Sequence, residues 1–303
     1  MKRILTVEEM SGADAAAIGF GIPSLVLMER AALSVVEEIL NRGYDTSSVL
    51  VLAGSGNNGG DGAAIARLLA EKNIPSEMML FGDPGKRSEQ LKVQLRICEH
   101  YGVKITAEYI PGKYSLIIDA VFGIGLSREI GGRISEIIDA VNSDSVPVVA
   151  VDIASGIEGN TGRILGNALK AELTVTFAAG KIGHYLYPGA EFSGEVVVKE
   201  IGIPVGEKTG TAIWHIEEDD LSLLPKRDES GNKSTFGKLL VIAGSSSICG
   251  AAYLCAAAAL RSGVGMVKIF TEETNRAALN VLLPEAAYLC AAAALRSGVG
   301  MVK

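Results

Sequence analysis

Histidine and cysteine are scarce: the 303 residues include 3 of the first and 4 of the second. His100, His184 and His215 show no metal-ligand spacing, and neither do Cys98, Cys249, Cys255 and Cys290, so nothing supports a zinc-type centre. The histidines are read as structural or surface groups, His184 beside a glycine turn being the one to watch. The cysteines are expected to be free, buried thiols, as suits a reducing cytoplasm. A cationic surplus is also missing. Lys and Arg number 28 against 35 Asp and Glu, and a net charge of −7 argues against nucleic acid as a main partner, because phosphate binding needs a basic surface. Long hydrophobic runs are absent. Glu8 and Glu9 break the opening, so no signal peptide is expected, and the longest apolar helix, near 249–260, is too short for a bilayer. A membrane partner is therefore not expected.

What is present suffices for a core. Hydrophobic residues make up 48% and the mean hydropathy is +0.31, which excludes disorder, and the length allows two domains or one large one. Residues 251–268, AAYLCAAAALRSGVGMVK, recur without change at 286–303. Structural repeats keep a pattern and lose identity, and two copies make no solenoid, so the identity points to a recent duplication or an assembly artefact. Residues up to about 285 are read as one natural protein and the remainder is set apart.

Residues 6–40 predict two helices broken by GFGIPS at 19–24, because Pro23 cannot sit in a helix interior. Strands and helices then alternate. Strands are expected at 49–54, 76–82, 115–123 and 146–156, and helices at 61–73, 87–102 and 134–143. Such alternation predicts a mostly parallel sheet with helices on both faces. The stretches 173–179, 194–202 and 212–217 are expected to extend that sheet. Charge, Pro and Gly mark a linker near 221–234, after which 238–245, 250–261, 266–270 and about 274–283 predict a second βαβ start, too little for a core of ordinary size.

The first strand runs into GSGNNGGDG at 54–62. Gly54, Gly56 and Gly59 satisfy G-x-G-x-x-G, a weak signal for dinucleotide binding by itself, and Asp83 could serve as the ribose acid. Asp61, close to the helix start, would repel a bare pyrophosphate, so the loop suits a ribose, a carboxamide or a metal ion better. The alternative is a tight glycine turn with Asp61 as a helix cap. Asp119 and Asp152 stand at the ends of two further strands. The carboxyl edge of a parallel sheet carries ligand sites, so Asn58, Asp119 and Asp152 are expected on one rim, with Ser155 beside them. Their amide, carboxylate and hydroxyl oxygens are hard ligands that suit an alkali or alkaline-earth cation.

GNNGGDG, IIDAVFGIGL and VDIASG, in this order, resemble the amino-terminal domain of the NAD(P)H-hydrate epimerase family, as do LMERAA at 27–32 and the stretch 176–204. The resemblance covers roughly 1–217 and implies a three-layer αβα Rossmann-like fold with a mostly parallel sheet. It implies that Asn57, Asn58, Gly59, Gly60 and Asp61 line the site for the hydrated nucleotide NADHX or NADPHX. It implies a potassium ion on Asn58, Asp119 and Ser155, and phosphate binding by Gly123, Ile124, Gly125, Leu126, Ser127, Arg128 and Glu129. Asp152 would contact the hydrated ring. The epimerised carbon carries a hydroxyl and is bonded to the ring nitrogen, so inverting it needs a proton acceptor and donor. Asp152 is the expected catalytic group, with Lys86 or Lys181 as partner. One departure is visible: the family usually shows Asp-Ile-Pro-Ser-Gly where this chain has Ala154, which loosens the turn and removes no ligand. A cytoplasmic homo-oligomer is expected.

Residues 233–271 resemble the start of the ADP- or ATP-dependent NAD(P)H-hydrate dehydratase domain, with Lys233, Lys238 and the loop 244–250 matching its opening. That implies a partial ribokinase-like α/β segment with ADP or ATP as its cofactor, if any. The family's later nucleotide loop and catalytic aspartate have no counterpart, so no competent dehydratase site is expected. The domain expectation is 1–217, a linker 218–234, the partial segment 235–285 and the duplicate 286–303. Two other functions compete: a Rossmann NAD(P) oxidoreductase, disfavoured by the NNGGD turn, and a noncatalytic binding protein, disfavoured by the retention of Asn58, Asp119, Asp152 and Ser155 together.

Overall fold

A computed structural model describes residues 1–206, 213–224 and 226–290. The chain divides into two compact units, Met1–Asp220 and Leu221–Lys303. The expected linker 218–234 spans that division and carries a 3-10 turn over Glu218–Leu223.

The first unit opens with strand β1 (Lys2–Leu5) and helices α1 (Val7–Gly19) and α2 (Ser24–Asn41). Then come β2 (Val49–Ala53), α3 (Asn57–Glu71), β3 (Ser76–Leu80), α4 (Glu89–His100), β4 (Lys104–Thr106), β5 (Leu116–Ala120), α5 (Arg133–Ser143) and β6 (Val148–Val151). It continues with β7 (Leu173–Phe177), β8 (Gly180–Lys181), α6 (Gly189–Ser193), β9 (Glu195–Lys199) and β10 (Ile213–His215). Thr6 starts α1 with a capping box: its hydroxyl accepts the Glu9 amide while the Glu9 carboxylate accepts the Thr6 amide. In α2 the buried residues Leu27, Met28, Ala31, Ala32, Val35, Val36 and Ile39 follow helical spacing and form one apolar stripe.

Seven strands form a sheet in the order β4-β3-β2-β5-β6-β7-β9, every neighbouring pair parallel. Alternate residues feed opposite faces. Val49, Val51 and Ala53 join the cluster under α1–α4, whereas Leu50 and Leu52 join the one under α5. Burial on both faces explains why the strands read as unbroken apolar runs. The strand order reverses at β2 and β5, which places a crevice at their carboxyl ends.

The stretch 212–217 does not extend this sheet. β10 pairs antiparallel with β1, and β1 pairs parallel with β8, giving a separate three-stranded sheet. The unforeseen partner is β1, whose two basic residues in four hide its strand character. The short β4 likewise went unread. Cys98 is buried, its thiol donating to the Ala63 carbonyl at 3.1 Å, and burial pushes that thiol up to about 11. Two other thiols depart from the expectation of burial, Cys249 being half-buried and Cys255 exposed, and the Cys290 side chain lies outside the described residues.

In the second unit, β11 (Lys238–Ile242), β12 (Met266–Thr271) and β13 (Ala287–Cys290) form a parallel sheet with helices α7 (Gly250–Arg261) and α8 (Arg276–Leu282). Its core is small and alanine-rich, with Ala252, Ala256, Ala257 and Ala259 from α7 meeting Val241, Val267 and Ile269. Cys255 falls off that buried stripe. Leu240 and Ile242 remain exposed on β11. The duplicate 286–303 falls mostly outside the described residues. Among the described residues no helix is long and apolar enough to cross a membrane.

Candidate active site

A cavity of about 640 Å³ opens at the crevice in the first unit. Its walls come from α1 (Met10, Ser11, Asp14), α2 (Leu27, Met28, Ala31), the start of α3, the loop after β5, and Asp152, Phe177 and Lys181. That size and mixed lining suit a small-molecule site.

Helix α3 begins at Asn57, earlier than the spacing predicts, and Gly56 at its N-cap offers no side-chain cap. Asp61 is therefore in the helix and is not its cap. Asn57, Asn58 and Asp61 face the cavity, while Gly59 and Gly60 do not line it. Gly59 serves close packing instead. A Cβ there would lie 1.9 Å from the Gly54 carbonyl oxygen, so only glycine lets α3 approach the end of β2. A Cβ on Gly60 would meet the Met28 side chain.

Gly123, Ile124, Gly125, Leu126, Ser127 and Arg128 all line the cavity; Glu129 does not. The first residues of this loop join two of the expected ligand groups. A Cβ on Gly123 would sit 3.3 Å from the Asn58 Cβ, and the Phe122 amide donates to Ser155 Oγ at 2.9 Å. Ser155 Oγ in turn donates to Asp119 Oδ1 at 2.6 Å, and the Ser155 amide donates to Asp119 Oδ2 at 2.7 Å. Asn58, Asp119 and Ser155 are thus gathered around the loop 121–123. Burial pushes the Asp119 carboxyl up to about 6, against the lowering effect of the Ser155 hydroxyl and amide and the Val121 amide. Both amide atoms of Asn58 are buried without a hydrogen-bond partner. Such an orphan costs about 1–3 kcal/mol unless something else satisfies it. Among the described residues no group of three or more His, Cys, Asp and Glu could hold a metal, so any cation here would rest on amide and hydroxyl oxygens as well.

Asp152 follows β6 in the left-handed region, with φ 70°. Its Oδ1 accepts from Lys181 Nζ at 2.5 Å and from Thr176 Oγ1 at 3.1 Å. The Lys181 ammonium also donates to Thr176 Oγ1 at 2.6 Å and to the Phe177 carbonyl at 3.3 Å, and the side chain is 1% exposed. Burial pushes the Asp152 carboxyl up, but the Lys181 ammonium outweighs it and holds the group below the usual carboxylate range. Asp61 has no such cation. Burial, then the Asp152 and Asp14 charges, raise its carboxyl well above the usual range. Asp14 is raised as well, by burial and then by Asp152.

Of the two lysines expected near Asp152, Lys181 is the one in contact. Lys86 ends a 3-10 turn over Pro84–Lys86 and is exposed, and Asp83 caps that turn by accepting the Gly85 amide at 2.8 Å. Neither lines the cavity. Two neighbours of the site went unread, Asp14 and Thr176, while His184 was read as a structural or surface group, the one to watch. Helical spacing in residues 7–19 could have aimed Asp14 inward, on the face of Met10 and Ala17, while Thr176 alternates outward from the apolar residues of β7. His184 gave no spacing signal.

The family model described as YjeF-related protein N-terminus matches residues 24–183, and that described as NAD(P)H-hydrate dehydratase matches 239–287. A protein of Weissella koreensis named NAD(P)H-hydrate epimerase is 43% identical over 205 residues, covering 67% of this chain and 93% of the relative. One of the same name from Oenococcus oeni is 45% identical over 185 residues, covering 60% and 88%. Another, from Lentilactobacillus buchneri, is 43% identical over 206 residues, covering 67% and 96%. The crystal structure of the yeast protein YNL200c superposes with a TM-score of 0.54 at 21% identity, over 60% of this chain and 82% of that one, a likeness of fold. Residues 24–183 hold most of the walls of the cavity, and the chain belongs to the YjeF-related protein N-terminus family.

Proposed function

We propose that this chain interconverts the R and S epimers of hydrated NADH and NADPH. The observation that carries the reading is the buried Asp152–Lys181 pair open to the cavity, in a chain whose relatives are named for that activity. The reacting carbon is a hemiaminal. Inverting it takes ring opening and reclosure, or loss and return of water, and both routes move a proton off and onto the reacting centre. Lys181 keeps Asp152 ionised and fit to accept that proton. Asp61, whose carboxyl burial and the neighbouring acids raise well above the usual range, is the candidate to donate one. Two carboxyls pushed in opposite directions are the pattern expected of an acid and base pair.

Potassium fits the residues beside it. Asp119 is a buried carboxylate whose partners are a hydroxyl and backbone amides, none cationic, and the Asn58 amide oxygen is unpartnered. Asn58, Asp119 and Ser155 would hold the ion, and its charge would favour the substrate's phosphates on the adjoining loop 123–129. Residues 239–287 match the dehydratase model over a short span, and the reading assigns the ADP- or ATP-dependent dehydration no site within them.

The test is conversion of pure R-NADHX to the S form in potassium buffer without ADP or ATP, followed by chromatography. Asp152→Asn should lower the rate about 10²–10⁴-fold. A folded wild-type chain that converts nothing would overturn the proposal.

A further inference from the structure

We infer, relying on the epimerase reading for the activity readout alone, that His184 is a positioning residue that locks Asp152 and Lys181 into one geometry. Its ring is 2% exposed and both nitrogens are engaged. Nδ1 faces the Lys181 backbone amide at 3.2 Å, and Nε2 lies 3.0 Å from the Asp152 carbonyl oxygen. An amide can only donate and a carbonyl can only accept. The ring must therefore be the neutral tautomer with its proton on Nε2, since a proton on Nδ1 would face the Lys181 N–H. Burial and then the Lys181 charge favour the same state, holding the ring down to about 3.

The contacts close a circuit. From the His184 ring it runs through the Asp152 backbone to its carboxylate, across the ion pair to Lys181 Nζ, and back through the Lys181 backbone to the ring. Asp152 and Lys181 are fixed from outside as well. The Asp152 amide donates to the Val175 carbonyl at 2.8 Å, and Lys181 sits opposite Leu5 in the β8–β1 pairing. The weak point is the Asp152 backbone. At φ 70° a residue with a Cβ is strained, and such a conformation persists only when its surroundings over-determine it. The Nε2–H bond to the Asp152 carbonyl supplies part of that determination, and it aims the carboxylate at Lys181 and the cavity. The titratable groups coupled to Asp152 are Lys181 from β8, His184 itself, Asp61 from α3 and Asp14 from α1.

Two variants separate positioning from packing. His184→Gln can place an amide N–H where Nε2 lies and keep the bond to Asp152. His184→Asn can place an oxygen where Nδ1 lies and keep only the bond to Lys181. We expect His184→Asn to lower kcat about 10–100-fold with KM for R-NADHX little changed, and His184→Gln to stay near wild type. Equal losses in both variants that track their thermal stability, or wild-type kcat in both, would overturn the inference. Ring ¹⁵N chemical shifts of the intact chain provide a readout independent of activity. They should report the Nε2–H neutral tautomer from pH 8 down to pH 5, and a ring that protonates near its ordinary value of about 6.5 would overturn the inference. A wild type inactive toward NADHX whose ring still shows that tautomer would sink the epimerase reading and leave the tie standing.

Discussion

Substituting Lys181 by methionine removes a positive charge and keeps most of the side-chain volume, so it isolates the electrostatics of the site. In the intact chain the Asp152 carboxyl is held below its ordinary value. It contributes stability above an unfolded-state value of about 3.9 and loses that contribution only as pH falls through the lower folded value. Without the ammonium, burial, the largest influence on that carboxyl, is left to raise it. The sign then reverses: the variant is penalised at high pH, and the penalty fades as pH falls from the raised folded value towards about 3.9. Removing one partner of a buried pair costs about 3–5 kcal/mol, and the Lys181 and Asp152 side chains are 1% and 14% exposed. For a unit of this size about 3 kcal/mol corresponds to a drop of roughly 6–12 °C in Tm at pH 8, with a smaller drop at pH 5. Catalysis should respond in step, because the base must be ionised to accept a proton. The acid limb of the kcat profile should move from below pH 4 towards neutrality. Thermal melts at the two pH values and a pH–rate profile make the comparison. A variant whose Tm falls equally at both, with its acid limb unmoved, would refute the assignment of Lys181 as the group that keeps Asp152 charged.

Gly59→Ala should destabilise the first unit by about 1–3 kcal/mol or more, because its Cβ would meet the Gly54 backbone oxygen, and a chemical denaturation midpoint checks it. Replacing potassium by choline should slow epimerisation about 10-fold or more, and Asn58→Leu should abolish the difference between the two salts. Brief trypsin treatment should cut first among exposed Lys226, Arg227 and Lys233, releasing a fragment close to the first unit in mass. Cleavage first within residues 24–183 would contradict that order.

Much of the αβα layer was legible because buried parallel strands need apolar side chains on both faces. Runs such as VLVLA and LIIDA can hardly be anything else, and the turn glycines after them punctuate the chain. The same logic hid β1 and β4. Lys2 and Arg3 disguise the first, and the second is three residues long with no buried member. Once β1 is missed, β10 has no visible partner, which is why residues 212–217 were assigned to the wrong sheet. The acids Asp119 and Asp152 were legible from their places at strand ends. The contact between Asp152 and Lys181 was harder, since 29 residues separate them and a lone lysine carries no periodic signature. His184 was harder still. Its importance lies in which ring nitrogen meets which backbone group, and that is set by a turn four residues long whose conformation no residue pattern announces.

The repeat shows where local sequence stops deciding structure. Ala-Tyr-Leu-Cys lies in α7 at residues 252–255 and forms β13 at residues 287–290. Intrinsic propensity is identical in the two copies, so it cannot be what separates them. Their surroundings differ. The first copy follows Gly250 and lays Ala252 and Ala256 into the small core. The second follows Pro284, which ends the preceding helical path and forces Leu283 out of helical dihedrals, at φ −146° and ψ 68°. It then finds the open edge of β12, where Ala287 pairs with Lys268 and Tyr288 with Ile269. The Tyr288 hydroxyl anchors the strand at the end of α8, 2.7 and 2.5 Å from the Leu279 and Leu283 carbonyls, which also accept the Leu283 and Ala286 amides. A true structural repeat would place both copies in equivalent positions around a shared core. Among the described residues the two copies occupy different elements, and Ala252 is buried where Ala287 is exposed, so over that stretch the duplication repeats letters without repeating a fold unit.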